Sequence, residues 1–262
     1  MNDNKYIQSI RQYKADDCCV FRKTKEEYGG LSNMASGFPL RINNHYIYSS
    51  EALYQACRFP DMPEVQREIL AQASPMTAKM KSKPFRKQSR ADWEEQKITI
   101  MRWCLKVKLA QNFLKFGLLL EQTYFKSIVE DSLKDDFWGA KRQKGDENLL
   151  IGVNALGRLL MELREKYYSE KRYELLIVNP PPISNFFLLG ETIGKLDERS
   201  DFCLRTIGYT GRQTEYKNQS SDRVNTIMHV AEESSEKYRK GKQKKGEDSS
   251  ALPLFEPRRD AE

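Results

Sequence analysis

The sequence lacks long hydrophobic runs. Nowhere in its 262 residues does an apolar stretch approach the roughly 20 residues that a membrane-spanning helix needs. The segment from Met1 to Ser9 also lacks the apolar core of a signal peptide. We therefore expect a cytoplasmic protein that has no membrane partner.

Cysteine and histidine are too sparse for the sites that they usually build. Of the five cysteines only Cys18 and Cys19 are close together, and none forms a CxxC motif. Two histidines, His45 and His229, are too few for a histidine-based metal centre. We predict no disulfide framework, no metal and no cofactor, and we interpret His45 as a surface or packing residue.

The charge is unevenly distributed along the chain. The formal net charge of +7 favours anionic partners such as nucleotides or nucleic acid. Residues 232–250 are rich in lysine and contain no apolar residue except Tyr238, so they cannot form a core. The sequence therefore predicts a mostly disordered basic tail over residues 213–262.

Helical periodicity dominates residues 50–168, after a β-rich segment at residues 17–48. We predict an α+β fold that is mainly helical, with a catalytic domain at residues 1–170 and an extension at residues 171–212 that packs on it. Helices are predicted at Glu51–Phe59, Pro63–Ala73, Ala91–Leu120 with a possible break near Asn112, and Gly152–Tyr168. Further strands are predicted at Tyr173–Val178 and Phe186–Ile193.

The glycine-rich segment Tyr28–Met34 is the first candidate for ligand binding. Its two glycines let the backbone approach a ligand closely. The amide of Asn33 offers both a donor and an acceptor to a base edge or a ribose hydroxyl. The alternative is an ordinary hairpin turn.

The start of the first predicted helix is the second candidate. Glu51 lies in the first turn, where the helix dipole favours an ionised carboxylate that can activate water or stabilise a cation. Tyr54, Gln55 and Arg58 follow, with Tyr54 and Arg58 on the face of Glu51. The alternative is that glutamate simply prefers first turns.

The segment Asp135–Gly139 is the third candidate. It combines the carboxylate of Asp135 with the flat ring of Trp138 and with Gly139, which suits a base or a sugar. A basic loop at residues 141–145 follows and leads to a helix start near Asn154, where backbone N–H groups can hold a phosphate. The alternatives are a core tryptophan and a solvated loop.

Lys108 is the fourth candidate. At 100° per residue it projects on the apolar side of the long helix with Met101, Cys104 and Leu105. Burial there lowers the pKa of a lysine, which is what a nucleophilic amine needs. The alternative is a lysine that extends from the edge of the core to solvent.

Taken together and in this order, the clusters resemble the NADAR family over about residues 20 to 167. The resemblance implies an α-rich domain with a small sheet and a metal-free glycosidic cleft. The acidic and aromatic site residues of the family correspond here to Glu51, Trp93, Asp135 and Trp138. The matching stretches are Tyr28–Met34, Ser49–Phe59, Ala91–Trp93, Lys108–Asn112, Asp135–Gly139 and Gly152–Arg164.

Members of the family are linked to two substrate classes. One class is phosphorylated riboflavin-pathway intermediates, and the other is ADP-ribose on the amino group of guanine in DNA. Some family members that act on the second substrate class are antitoxins to DarT-type ADP-ribosyltransferases. The basic tail favours the second class, so we predict removal of ADP-ribose from ADP-ribosylated guanosine in DNA. The alternatives are an N-glycosidase of riboflavin-pathway intermediates and a non-catalytic ADP-ribose reader.

Two mechanisms remain open at this stage. In the first, Glu51 or Asp135 stabilises an oxocarbenium-like state and activates water, while Trp93 or Trp138 stacks a base. In the second, Lys108 attacks the opened ribose as a Schiff base. In both mechanisms another group must bind the diphosphate of ADP-ribose. The candidates are Lys141, Arg142 and the helix start near Asn154.

A short apolar island, Ser250–Phe255, follows the basic tail. Exposed apolar clusters usually mark binding, so Leu252, Leu254 and Phe255 are candidates for a partner's pocket. The pattern resembles the peptide by which bacterial DNA-associated proteins dock on the replication sliding clamp. It departs from that peptide at Ala251, where glutamine is usual.

Overall fold

This computed structural model describes residues 6–210, which contain seven α-helices and eleven short strands. The helices are α1 (Ser50–Ala56), α2 (Pro63–Leu70), α3 (Pro75–Ser82), α4 (Trp93–Gln111), α5 (Phe113–Glu121), α6 (Ala155–Tyr167) and α7 (Arg199–Thr210). The predicted α+β class with a mainly helical content is confirmed. The tail at residues 213–262, including Leu252, Leu254 and Phe255, lies outside the described residues.

The strands form small separate sheets. They are β1 (Arg11–Lys14), β2 (Cys18–Phe21), β3 (Leu40–Ile42), β4 (His45–Ile47), β5 (Ser127–Glu130), β6 (Lys141–Gln143), β7 (Asp146–Gly152), β8 (Ile177–Val178), β9 (Phe187–Leu188), β10 (Glu191–Thr192) and β11 (Leu196–Asp197). β7 pairs with β1 and β6, β8 with β11, and β9 with β10, all antiparallel, whereas β2 and β5 are parallel.

The β-rich segment predicted at residues 17–48 is confirmed, since it contains β2, β3 and β4. The hairpin of β3 and β4 turns at Asn43 and Asn44, whose φ angles are 47° and 62°. Asparagine tolerates this left-handed conformation, which a two-residue hairpin turn requires. His45 follows the turn and is exposed on β4.

Helix α4 is the centre of the core, and its apolar residues are buried along its length. The predicted break near Asn112 is confirmed, because α4 ends at Gln111 and α5 begins at Phe113. The Nδ2 of Asn112 donates to the backbone O of Lys108 and of Pro39, both at 3.1 Å. These bonds compensate for the interrupted helical pattern.

Residues 171–204 contact the helical domain through polar and aromatic groups. The Nε2 of Gln66 donates to the backbone O of Phe187 at 3.0 Å. The rings of Trp103 and Phe186 meet edge to face at a centroid distance of 4.9 Å. The domain boundaries at residues 170 and 212 stay predictions.

Both strand predictions in this extension are wrong in detail. The segment Tyr173–Val178 is mainly a 3-10 helix, Arg172–Leu176, which leads into the two residues of β8. The segment Phe186–Ile193 is a hairpin of β9 and β10, because the chain reverses at Leu189 and Gly190, with φ angles of 55° and 88°. Apolar content indicated extended structure but not these tight turns.

Strand β6 and helix α3 are among the elements that the sequence analysis missed. Residues 141–145, predicted as a loop, form β6 and the first part of a turn at Gly145, where φ is 87°. Helix α3 begins with a Ser74 cap and Pro75 at its first position, but it has no marked apolar stripe. Among the described helices, none has the length and apolar character that crossing a bilayer requires.

Candidate active site

The carboxylate of Glu51 lies buried in the first turn of α1. Ser49 caps this helix, since its Oγ accepts a hydrogen bond from the backbone N of Ala52 at 3.2 Å. The Oε2 of Glu51 accepts from Nδ2 of Asn33 at 2.6 Å, and its Oε1 accepts from Nε2 of Gln55 at 2.8 Å. Both oxygens are therefore oriented by amide donors, although the residue is only 4% exposed.

The turn that carries Asn33 is fixed against α1. It contains a short 3-10 helix, Gly29–Leu31, and a Cβ added at Gly29 would lie 2.4 Å from the backbone O of Lys23. The Oγ of Ser50 donates to the backbone O of Asn33 at 3.2 Å. The Oδ1 of Asn33 is buried without a hydrogen-bond donor among the described residues, so it is available to a donor on a substrate.

Gln55 connects the carboxylate to a neighbouring helix. Its Oε1 accepts a hydrogen bond from the Oγ of Ser82, the last residue of α3, at 2.8 Å. This bond fixes which end of the amide faces Glu51. Gln55 therefore acts as a positioning residue in this geometry.

Lys108 is fully buried, and it projects from the apolar side of α4 as predicted. Its Nζ donates to the backbone O of Gly30 at 2.8 Å and of Ser32 at 2.9 Å. The Nζ also lies 4.5 Å and 4.4 Å from the ring centroids of Phe38 and Phe116. Burial lowers the pKa of Lys108 to about 7.

Three aromatic rings and one guanidinium form a connected cluster beyond Glu51. The ring centroid of Tyr54 lies 5.1 Å from that of Trp93 and 5.7 Å from that of Trp138. The guanidinium carbon of Arg58 lies 4.1 Å from the ring centroid of Trp93. Burial, reinforced by the charge of Glu51, raises the pKa of Tyr54 well above its usual value. The Tyr54 hydroxyl finds no partner within residues 7–204, so it is a second unsatisfied group at this site.

Asp135 shapes the loop that carries Trp138. Its Oδ1 accepts from the backbone N of Phe137 at 3.0 Å and of Trp138 at 2.9 Å. Gly139 is required for close packing, because an added Cβ would lie 2.5 Å from the backbone O of Glu130. One carboxylate oxygen of the half-buried Asp135 thus holds the turn.

Glu130 is a carboxyl group that the sequence analysis missed. It is the last residue of β5, and its backbone N donates to the Oδ1 of Asn154 at 3.2 Å. Burial raises the pKa of Glu130 to about 7, and the nearby charges of Asp135 and Glu51 act in the same direction. Its place at the carboxyl end of a parallel strand is the signal that points to it, since ligands often bind at that edge.

Asn154 and the start of α6 are occupied by the backbone of the protein itself. The Nδ2 of Asn154 donates to the backbone O of Ile128 at 2.8 Å. The first two N–H groups of α6 donate to carbonyl oxygens of the 136–139 loop at 2.9 Å and 3.0 Å. The expectation that this helix start holds a diphosphate is therefore wrong, because its donors are already used. Asn154 positions β5, because both ends of its side-chain amide bond the backbone of that strand.

The two cations expected beside that diphosphate are also paired. The Nζ of Lys141 contacts Oδ2 of Asp136 at 2.7 Å, and the Nε of Arg142 contacts Oδ2 of Asp131 at 2.8 Å. These ion pairs fasten the loop that carries Trp138. Binding of a diphosphate by Lys141 or Arg142 stays a prediction.

The structure brings most of the predicted site residues into one network of contacts. Lys108, Asp135, Gly139 and Asn154 hold the loops around it. The buried carboxylate of Glu51 can stabilise an oxocarbenium-like state and orient water. The neighbouring aromatic rings can stack a base. Residues in direct contact within the network are Asn33, Glu51, Tyr54, Gln55, Arg58, Trp93 and Trp138.

No group of three or more metal-binding side chains occurs in the described part of the chain. The chain belongs to the NADAR domain family, which matches residues 20–167.

Several known proteins are similar to this chain. N-glycosidase YbiA of Escherichia coli (strain K12) is 34% identical over 164 residues, which cover 63% of this chain and 97% of that protein. Riboflavin biosynthesis protein VVA0006 of Vibrio vulnificus (strain YJ016) is 31% identical over 169 residues, covering 64% of this chain and 43% of that protein. The NMR structure of E. coli YbiA has a TM-score of 0.49 and 33% identity, and the match covers 59% of this chain and 88% of that one.

Proposed function

We propose that this protein is an N-glycoside hydrolase that removes ADP-ribose from guanine bases in DNA, and so acts as an antitoxin to a DarT-type ADP-ribosyltransferase. Membership of the NADAR family and the similarity to N-glycosidases support the hydrolase class. The observation that carries the reaction type is the buried carboxylate of Glu51, oriented by two amides beside Tyr54 and its two tryptophan neighbours.

The proposed mechanism follows from the positions of the acids. Glu51 stabilises the positive charge that develops on the ribose ring and orients the attacking water. Glu130, with a pKa near neutrality, holds a proton that the departing nitrogen can take. Trp138 stacks on the base, and Asn33 offers its unpartnered Oδ1 to a substrate N–H group.

The substrate class is tested by comparing products. Purified protein is incubated with ADP-ribosylated guanosine, with an oligonucleotide carrying that base, and with a phosphorylated riboflavin-pathway intermediate. Release of ADP-ribose from the first two supports the proposal. Cleavage of the third alone assigns the riboflavin-pathway activity, which the names of the Vibrio and plant relatives favour. Tight binding of ADP-ribose without any product identifies a non-catalytic reader.

Asp135→Asn is expected to lower kcat by at least about tenfold with little change in Tm. Asparagine keeps an Oδ1 that accepts the two loop N–H groups, so this variant removes the charge and leaves the turn intact. Asp135→Ala removes both the charge and the oxygen that accepts the two loop N–H groups, so it is expected to lower Tm as well. Unchanged kcat in the asparagine variant would show that Asp135 only shapes the loop.

Glu130→Gln is expected to flatten the dependence of stability on pH between about 4.5 and 7. The pKa of Glu130 is raised from 4.5 to about 7 on folding, so the folded state binds its proton more tightly than the unfolded state. The contribution of this group is therefore full below about 4.5 and is lost as the pH rises towards 7. We expect a loss of about 1–2 kcal/mol, less than for a fully buried carboxyl, because the side chain keeps some solvent contact.

The measurement is Tm against pH for both proteins. Lys108 does not affect this measurement below pH 7, because its pKa is lowered from 10.5 to about 7 and its contribution to stability therefore changes only between about pH 7 and 10.5. Parallel curves for wild type and Glu130→Gln below pH 7 would contradict the assignment. If Glu130 also supplies the proton, wild-type kcat falls as the pH rises through about 7, and the variant loses this limb of the profile.

A further inference from the structure

A run of basic residues lies next to the candidate active site. Residues 69–91 contain no acidic residue. Within them, α3 and the 3-10 helix Lys83–Gln88 carry five cationic side chains. The sequence analysis gave this segment no function. The five are Lys79, Lys81, Lys83, Arg86 and Lys87.

Four of these cations have no counterion among the described residues. Lys81 pairs with Glu68 at 2.6 Å, but the others make no ion pair with any side chain that the structure describes. Three of the four are exposed, and Lys79 is half-buried. Closely spaced cations repel one another, so this surface favours a polyanion. We call these four residues the basic wall: Lys79, Lys83, Arg86 and Lys87.

The basic wall is fastened directly to the site. Ser82, between Lys79 and Lys83, donates to Gln55, which holds the carboxylate of Glu51. The backbone N of Arg90 also donates to the backbone O of Arg58 at 2.9 Å.

Electrostatic effects agree with this placement. The charge of Lys79 lowers the pKa of Glu130 against the raising effect of burial. Burial lowers the pKa of Arg58, and the charge of Arg86 acts in the same direction. The wall therefore reaches both the acidic and the aromatic parts of the site.

We propose that the basic wall binds the phosphodiester backbone of single-stranded DNA and guides a modified guanine into the site. This inference deepens the proposed function and rests on it for the identity of the base. A lone diphosphate needs cations at one point, whereas these cations are spread along two elements that are each about 12 Å long at 1.5 Å and 2.0 Å per residue. A strand with regularly spaced phosphates matches that spread.

The test is fluorescence anisotropy of an unmodified, guanine-containing single-stranded oligonucleotide with the full chain. The wall variant is Lys83→Gln/Arg86→Gln/Lys87→Gln, which leaves Lys79 and its effect on Glu130 in place. The matched control removes three exposed lysines elsewhere, as Lys14→Gln/Lys171→Gln/Lys195→Gln. The lysines of residues 237–245 are the same in all proteins compared.

We expect the wall variant to bind at least about tenfold more weakly at low salt, and the control to change less than about twofold. The slope of log affinity against log salt should fall by about 0.7 for each phosphate that the variant no longer neutralises. Equal weakening in wall variant and control would overturn the inference.

A second titration, with ADP-ribose, separates the backbone from a diphosphate. We expect the affinity for ADP-ribose to be unchanged in the wall variant. A loss in the same proportion as for the oligonucleotide would assign the wall to the diphosphate instead. Binding is measured without turnover, so the two proposals can fail separately. If the wall variant binds the oligonucleotide more weakly but no hydrolysis of the DNA substrate is found, only the proposed function is contradicted. Hydrolysis of the DNA substrate without a wall effect contradicts only this inference.

Discussion

Replacing Glu51 by glutamine is expected to lower kcat by at least about a hundredfold while the fold stays intact. A positioned acid or base typically contributes about 10²–10⁴-fold, and the amide can neither activate water nor stabilise a cation in the same way. The fold tolerates the change because the Oδ1 of Asn33 has no partner among the described residues. Asn33 can turn its amide and accept from the new NH₂ group, while Gln55 keeps its bonds.

The measurement is kcat on ADP-ribosylated guanosine, with Tm as the check on folding. Glu64 provides a matched control, since it is the first-turn glutamate of α2 and is exposed. Glu64→Gln should leave kcat unchanged. Wild-type kcat in Glu51→Gln would show that Glu51 is there only because glutamate favours first turns.

Local periodicity was sufficient for the part of the site on α1. The spacing predicted that Glu51 and Tyr54 share a helix face, and both lie on α1. Arg58 was predicted on the same face, but α1 ends at Ala56, so Arg58 meets Trp93 from the turn that follows the helix. Periodicity also placed Lys108 on the buried side of α4. Residues within one helix are related by a fixed rotation, so their relative directions can be read from the sequence.

Contacts between distant segments could not be predicted in this way. The pairing of β2 with β5, which are separated by more than a hundred residues, places Glu130 beside the site. The helix start near Asn154 suggested a phosphate site, but the side-chain amide of Asn154 bonds the backbone of β5 and the first N–H groups of α6 bond the 136–139 loop. An asparagine that binds a substrate and one that binds a strand have the same local sequence, because only the tertiary partner differs.

Helix α3 shows a second limit of sequence patterns. Its cap and its proline are local signals, but its apolar residues do not mark a face. Its lysines are recognisable as a charge run, yet a charge run is ordinary on a solvated surface. Their relevance comes from Ser82 and Gln55, which join α3 to Glu51 across the fold.

Replacing Lys108 by methionine is expected to lower kcat by at least about a hundredfold in either mechanism. The ammonium donates to the backbone O of Gly30 and of Ser32. Both residues lie in the turn that carries Asn33, which in turn holds Glu51. Loss of the ammonium leaves two buried carbonyl groups without a donor and loosens the turn that orients the carboxylate. In the Schiff-base mechanism the same substitution removes the nucleophile itself.

Borohydride added during turnover distinguishes the two roles. A pKa of about 7 leaves much of Lys108 as free amine at neutral pH, which favours attack on an opened ribose. Its Nζ is nevertheless enclosed by two carbonyl groups and two aromatic rings, so we expect no trapped sugar adduct. Lys106→Met is the control, since Lys106 lies on the same helix and has a pKa that burial also lowers. An adduct mapped to Lys108, present in Lys106→Met and absent in Lys108→Met, would establish the Schiff base. No adduct, with low kcat in Lys108→Met alone, would leave Glu51 and water as the reacting groups, because the lysine then acts only through the turn that orients them.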